Sequence, residues 1–549
     1  MDSAPDRKST AVALLSWVTS TPSRLVLVLV SVTLLYVGAL VAMDYARVLR
    51  QRQSLPPGPF PWPIVGNHFQ IKLPRPWLYM ANLSKEYNDP MVTIWYGHKP
   101  SIVCNDIWTI TDLCDKRANI YSSRPHMIML GDSRNATKND QAVLPYGDRW
   151  RYHRRLTHQA VGTQAVRSYR PFQQAEIKLL LRDLLTAPER YEKAIERYSV
   201  SIVSCIGFGR RVAEMDDVVA QMALKFMEGV DFVMPGLFIM ESIPWLLDIP
   251  RFVYPAASKF TENGKRISDF FTSLSREASE TSKEGSQFAD LLVRESESQG
   301  LNDKEISFLT GNLIGGGVDT TASTTITFIF AMCAFPEVQK KAQAYIDKVV
   351  GERLPDWDDE PDLRYVRACV EETLRWRTVT ILGGIPHAPI QDDIYRGYHI
   401  PKGTWITGNM WSIHRNPSCF PGPDVYRPER FMDRDQEPPF PVKKGHSAFG
   451  WGRRQCSGQP LAEQGLFLTF ARLLWTFDMK PALRADGTEE KLDIFAFTES
   501  ENMRPEPFRV RFIPRSESRK KFVLAEAKEA RDFLTQFDSK SKVVMPDFV

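Results

Sequence analysis

One cysteine of this chain stands in a setting suited to holding a metal. It is Cys456, within Phe449-Gly450-Trp451-Gly452-Arg453-Arg454-Gln455-Cys456-Ser457-Gly458. Metal ligation needs the thiolate, and a free thiol is mostly protonated near neutral pH. The sequence that follows favours the anion. Gln459-Pro460-Leu461-Ala462-Glu463-Gln464-Gly465-Leu466-Phe467 carries apolar residues at helical spacing, so the cysteine precedes a helix N-terminus. The free N–H groups there attract negative charge. Gly452 permits a tight turn, and Gly458 leaves room for a flat ring to approach the backbone. The rival reading is a buried, unreactive cysteine at a helix start.

A second segment breaks helix rules in a way that asks for a reason. Asn302-Asp303-Lys304-Glu305 has the form of an N-cap with a glutamate closing a capping box, and apolar residues continue to Phe335, where Pro336 stops the helix. In its middle lies Gly315-Gly316-Gly317-Val318-Asp319-Thr320-Thr321. Each interior glycine costs about 1 kcal/mol relative to alanine. Either a small molecule approaches the backbone here, or neighbouring helices pack closely at small residues.

Phe449, Gly452, Arg454, Cys456 and Gly458 match Phe-x-x-Gly-x-Arg-x-Cys-x-Gly, and on this motif the chain resembles the cytochrome P-450 family. The resemblance implies a mainly α fold with small β-sheets and a haem b whose axial ligand is the Cys456 thiolate. That ligand pushes electron density onto iron and favours O–O cleavage. It also implies a propionate contact for Arg454. Gly316-Gly317-Val318-Asp319-Thr320-Thr321 is similar to the family's Ala/Gly-Gly-x-Asp/Glu-Thr-Thr segment. By that likeness Thr320 hydrogen-bonds dioxygen at the iron and Asp319 takes part in proton delivery, a task that O–O cleavage requires.

Three further constellations carry the likeness. Glu372 and Arg375 share a face of a helix predicted over Arg364 to Trp376. They precede Pro423-Asp424-Val425-Tyr426-Arg427-Pro428-Glu429-Arg430-Phe431, which resembles Pro-x-x-Phe-x-Pro-Glu-Arg/His-Phe with Tyr426 in the aromatic place. The implied triad is Glu372, Arg375 and Arg430, a structural lock on the cysteine loop. Trp150 and Arg154 resemble the family's Trp-x-x-x-Arg helix facing the propionates. His387 follows Gly383-Gly384-Ile385-Pro386, where many relatives carry a propionate-binding arginine.

The rest of the chain must position these residues. It has 549 residues, 43% of them hydrophobic, enough for a large core, and a net charge of +4 that does not suggest a nucleic-acid partner. Its seven cysteines show no Cys-x-x-Cys spacing, which argues against zinc or a disulfide framework. Residues 25–43 are uncharged and, at about 1.5 Å per residue, match a bilayer's hydrocarbon core. Arginines flank both sides of that run, so charge alone does not orient it.

The expected organisation is a tail (1–24), a transmembrane anchor (25–43), a basic and proline-rich hinge (44–63), a haem-thiolate domain (64–514) and a polar extension (515–549) of helix with little core to pack. An early hairpin is predicted across Val92–Tyr96 and Ser101–Val103. Asn82 and Asn135 open glycosylation sequons that stay unused if the main domain faces the cytosol.

The family likeness, closest to fungal secondary-metabolism members, implies a single-pass protein of the endoplasmic reticulum membrane with a cytosolic catalytic domain. Its implied electron source is NADPH through the flavoprotein NADPH–cytochrome P-450 reductase, with cytochrome b5 as a second donor. Lys443, Lys444, Arg453, Arg149, Arg151 and Arg155 form a candidate basic docking patch. Met127–Leu130, Phe232–Phe238, Val379–Ile385 and Phe495–Phe497 are candidate walls of a pocket for an apolar small molecule. The expected activity is hydroxylation or epoxidation. An isomerase or dehydratase that activates no oxygen, and a non-catalytic membrane haem-binding protein, are the alternatives.

Overall fold

The uncharged run folds as part of one helix, α1 (Pro22–Arg52), in a computed structural model describing residues 22–548 other than 228, 230, 232, 233, 235, 251, 254, 282–286 and 433–439. Most of the expected tail, 1–21, lies outside the described residues. Leu27, Leu34 and Leu35 are 65%, 66% and 74% exposed, and none of the other described residues covers this stretch. The helix is long and apolar enough to cross a membrane.

The hinge differs from expectation. Helix α1 runs on through residues 44–52, where no proline interrupts it, and Val48 is already buried. The prolines beyond it are clamped onto the globule. Pro57 O accepts the Thr93 N–H at 2.9 Å, Tyr45 OH donates to Pro61 O at 3.0 Å, and Arg52 Nη2 donates to Gly58 O at 2.9 Å. A Cβ on Gly58 would lie 1.9 Å from Thr93 O, so only glycine fits this approach.

Strands β1 (Met91–Tyr96) and β2 (Lys99–Cys104) form the predicted hairpin, with Gly97 at φ +58 in its turn. A second antiparallel pair joins β3 (Asp393–Tyr395) and β4 (Tyr398–Ile400). Strand β5 (Trp405–Gly408) then lies parallel to β2, with Ser101 opposite Trp405. Parallel pairing demands a crossover. Here the crossover is most of the helical body.

That body contains α2 (Asp148–Val161), α3 (Arg170–Thr186), α4 (Tyr191–Phe208), α5 (Val218–Met227), α6 (Pro255–Thr281), α7 (Asp303–Ala334), α8 (Arg364–Trp376) and α9 (Gln459–Thr476). Helix α7 is the axle, packed against α4, α5, α6 and α9. Its capping box forms: Glu305 N donates to Asn302 Oδ1 at 3.1 Å, and Asn302 N to Glu305 Oε2 at 2.9 Å. Pro336 opens the next helix at a bend of 105°. Two of the interior glycines serve packing. A Cβ on Gly315 would lie 2.3 Å from Phe226 Cδ1 of α5, and one on Gly317 2.3 Å from Val203 Cγ1 of α4. Gly316 alone of these three has open space before it.

Beyond α9, β6 (Phe477–Pro481) pairs with β7 (Val510–Pro514), and α10 (Glu517–Leu534) follows. Helix α10 corrects the expected poorly packed extension. It docks along α3, burying Val523, Ala527, Ala530 and Leu534. These small apolar residues recur at helical spacing and were masked by the Lys and Glu around them. The strap continues past the helix: Arg211 N donates to Phe537 O at 3.0 Å, and Phe537 meets Phe172 edge-on at 5.0 Å.

Candidate active site

The cysteine loop is held in shape by backbone contacts. Gly452 has φ +56, and a Cβ there would lie 2.1 Å from Cys114 O, so the position tolerates only glycine. Its N–H donates to the Asp115 carboxylate. Cys456 N donates to Phe449 O at 2.9 Å, which closes the loop just before α9 begins at Gln459. Cys456 lines an internal cavity of about 490 Å³, and the other six cysteines do not.

Burial pushes the Cys456 thiol up, against the pull of the Gly458 N–H, the Arg154 charge and the Gln459 N–H. The expected helix-terminus donors are therefore present but outweighed. Metal binding would displace the thiol proton directly.

Across the cavity stands α7, presenting Gly316, Thr320 and Thr324. Thr320 Oγ1 donates to Gly316 O at 2.6 Å, which leaves its lone pairs as acceptors. Asp319 does not line the cavity. Its carboxylate accepts from Asn502 Nδ2 at 2.7 Å and Ser323 Oγ at 3.4 Å, and burial raises its pKa. Consecutive residues on a helix with 3.6 residues per turn point in directions about 100° apart, so Asp319 and Thr320 serve different surroundings.

A cluster of guanidinium groups occupies one end of the cavity. Arg454 donates to the carbonyls of Ser122 at 2.7 Å, Gln141 at 3.2 Å and Leu144 at 2.6 Å, with its Cζ 4.4 Å over the Trp150 ring. Arg154 donates to Ser457 Oγ at 2.5 Å and Gln455 O at 2.6 Å. Arg124, which sequence reasoning missed, donates to Ala142 O at 3.0 Å, Ile385 O at 2.5 Å and Pro386 O at 3.0 Å. Among the described residues none of the three has a carboxylate within ion-pair distance.

Burial and mutual repulsion depress this cluster. Burial, then Arg124 and Arg154, bring Arg454 down to about 8, and burial brings Arg124 down to about 10. Such a cluster fits a bound anion, and the propionates of a haem lying between Cys456 and Thr320 would supply it. His387 lines the same end, with Nδ1 3.0 Å from Tyr121 O. Burial, Arg124 and Arg454 lower it to about 3, so the ring is neutral. The charge that the likeness placed at position 387 in relatives comes here from Arg124, whose signal was a lone arginine before Pro125 in an otherwise uncharged stretch.

Glu372, Arg375 and Arg430 lie together. Arg375 reaches Glu372 with Nε at 2.7 Å and Nη2 at 2.8 Å, and Arg430 Nε lies 3.5 Å from Glu372 Oε1. All three residues are buried. The link to the cysteine loop runs through residues that the sequence did not single out. Arg375 Nη1 donates to His414 O at 2.8 Å, His414 Nε2 accepts the Ser447 N–H at 2.9 Å, and His446 Nε2 meets Glu371 Oε2 at 2.5 Å.

The predicted pocket walls are only partly placed there. Leu130 and most of Val379–Ile385 line the cavity, whereas Phe495 is half-exposed and Phe497 packs on Phe330 in the aromatic core, 5.6 Å between ring centres. Phe232, Val233 and Pro235 lie outside the described residues. Ile202 and Val203 of α4, Phe226 of α5, and Leu309 and Leu313 of α7 complete the apolar lining. Three of the six basic-patch residues are paired internally: Arg149 with Glu305, Arg151 with Asp148, and Lys444 with Glu463.

Comparison with known proteins agrees with this geometry. The cytochrome P-450 family model matches residues 56–503. Cytochrome P-450 monooxygenase fogE of Aspergillus ruber is 34% identical over 515 residues, covering 89% of this chain and 92% of the relative. Monooxygenase virE of Hypocrea virens is 34% identical over 488 residues, covering 86% and 88%. Cytochrome P-450 monooxygenase 105 of Postia placenta is 35% identical over 480 residues, covering 85% and 90%. With its cysteine loop, its capped central helix and relatives that match along most of its length, the chain belongs to the cytochrome P-450 family.

Proposed function

We propose that this protein is a membrane-anchored haem-thiolate monooxygenase that inserts one oxygen atom from dioxygen into a C–H or C=C bond of a small, largely apolar molecule, in secondary metabolism. The observation that carries the reading is the placement of Cys456 and Thr320 on the same cavity, with the Arg124, Arg154 and Arg454 guanidiniums at its end. Cys456 supplies the thiolate ligand and the arginines, with Trp150, seat the propionates. The haem, once bound, supplies the oxygen-activating chemistry. Thr320 Oγ1, its own hydrogen engaged by Gly316 O, would offer an acceptor on the cavity wall to the activated oxygen. Asp319 reaches the cavity only by exchanging its bond to Asn502. The apolar lining keeps water from the reaction.

Electrons come from NADPH through a flavoprotein reductase docking on the Cys456 side, with cytochrome b5 as a second donor. Arg155 and Arg453 remain there outside any ion pair among the described residues. Helix α1 anchors the protein in the endoplasmic reticulum membrane with the catalytic domain in the cytosol. The deciding measurement is the spectrum of the reduced carbon monoxide complex, which should absorb where thiolate-ligated haem does. Cys456→Ser should abolish that band; an unchanged spectrum would remove the ligand assignment. An isomerase of the same fold would turn over without dioxygen or reductant, and that requirement separates the two activities.

A further inference from the structure

The substrate cavity contains a charge that the apolar reading does not explain. Arg134 is 7% exposed, lines the cavity, and lies between aromatic rings, its Cζ 4.7 Å from the centre of Phe226 and 6.0 Å from that of Phe308. Among the described residues its guanidinium makes no hydrogen bond and no ion pair. The residue lines the cavity, and none of its nitrogens is sealed from all accessible space. A buried donor without a partner is costly and rare, so a bound group is expected to meet it.

Its nearest charge is Asp140, 2% exposed and also on the cavity wall. Asp140 Oδ1 is occupied by Ala142 N at 2.7 Å and Asn312 Nδ2 at 2.6 Å, while Oδ2 has no hydrogen-bond partner among the described residues and is not sealed from accessible space. No hydrogen bond or ion pair joins the two side chains, although each acts on the other's charge. Asp140 adjoins Gln141 and Ala142, whose carbonyls accept from Arg454 and Arg124, while the charge that acts on Arg134 is that of Asp140. Asn312 precedes Thr320 by two turns of α7, which puts the pair about 12 Å along the axis from the oxygen-handling threonine.

We propose that Arg134 and Asp140 are specificity-determining residues that together bind a neutral amide-type group of the substrate, its carbonyl accepting from Arg134 and its N–H donating to Asp140. A carboxylate in that place would face the Asp140 charge, and an ammonium would face Arg134. An amide satisfies both at once. The apolar body of the substrate then runs along Leu313 and Phe226 toward Thr320, so oxidation falls at the end remote from the amide. This inference rests on the monooxygenase reading and deepens it.

The test uses the haem-loaded enzyme and three probes of equal chain length: dodecanamide, sodium dodecanoate and dodecanol. Spectral titration should give dodecanamide the lowest Kd, about tenfold or more below the other two. Arg134→Met should raise that Kd about tenfold. Arg134→Lys, a second variant kept in case the first fails to fold, should weaken it as well, because one ammonium replaces the planar fork. Asp140→Asn, which keeps the Ala142 contact, should shift preference toward dodecanoate. Turnover of dodecanamide should hydroxylate the methyl end. An intact carbon monoxide band with dodecanamide bound no tighter than dodecanol, or with Kd unmoved within about twofold by Arg134→Met, would overturn the amide site while leaving the monooxygenase reading standing. Loss of the band in the wild-type protein would instead defeat that reading.

Discussion

His414 accepts the backbone N–H of Ser447 on Nε2 at 2.9 Å, while its Nδ1 meets Thr378 Oγ1 at 2.6 Å. One neutral ring thus joins the end of α8 to the start of the cysteine loop. Burial, followed by the charges of His446 and Arg375, holds His414 well below the ordinary histidine range, so it keeps this acceptor throughout the physiological pH span. His414→Leu should leave the Ser447 N–H unsatisfied, lower stability by about 1–3 kcal/mol, and accelerate haem loss. Thermal melts and the ratio of haem to protein absorbance would show this; unchanged haem retention would confine the ring to packing.

Glu372 and Arg375 make a stronger demand. Both are fully buried, and the Glu372 carboxylate also accepts the Arg427 N–H at 2.8 Å. Arg375→Ala would leave a buried carboxylate short of its main partner, at about 3–5 kcal/mol. The expected outcome is little folded haem protein. Recovery of wild-type melting behaviour in that variant would show that Arg430 suffices as counter-ion.

Glu501 sets a pH dependence. It is fully buried, its Oε1 accepts from Leu382 N at 3.2 Å and Gly384 N at 3.1 Å, and its Oε2 has no partner among the described residues. Burial raises its pKa to about 8, with Asp231 adding to the rise. The folded protein therefore holds a proton that the unfolded chain releases near pH 4.5. Stability from this group is complete below that pH and is lost as pH climbs through about 8, by at most ~1.4 kcal/mol per pH unit. Glu501→Gln, which keeps an oxygen for both N–H donors, should flatten the decline in melting temperature across that window. An unaltered slope would place the titration elsewhere.

Thr320 lines the cavity on which Cys456 also opens. Thr320→Ala should leave NADPH consumption running while product per NADPH falls by about tenfold or more, with peroxide released. Product and NADPH remaining in step would take the hydroxyl out of the chemistry.

Much of this site was written in short-range pattern. Glycines that turn a loop, a capping box before a long apolar helix, and Glu372 and Arg375 on one helix face are local signals, and the structure realises each. What the sequence hid depends on contacts between distant segments. Arg124 joins the guanidinium cluster only because Ile385 and Pro386 are folded against it, 261 and 262 residues away. The reason for Gly315 and Gly317 lies on α5 and α4 rather than with the cofactor. Asp319 was adjacent to Thr320 in the motif, yet helical rotation gave it to Asn502. In α10 the apolar stripe was too thin to read against its charged background, although α3 needs it.

The docking of α10 on α3 sets an order of events during synthesis. At ordinary translation rates α3 leaves the ribosome tens of seconds, on the order of magnitude, before its partner is made. Throughout that interval α1 is already available to a lipid bilayer while Leu179, Leu180 and other buried residues of α3 lack their final cover. The globule therefore stays open along α3 until residues 517–534 have been made.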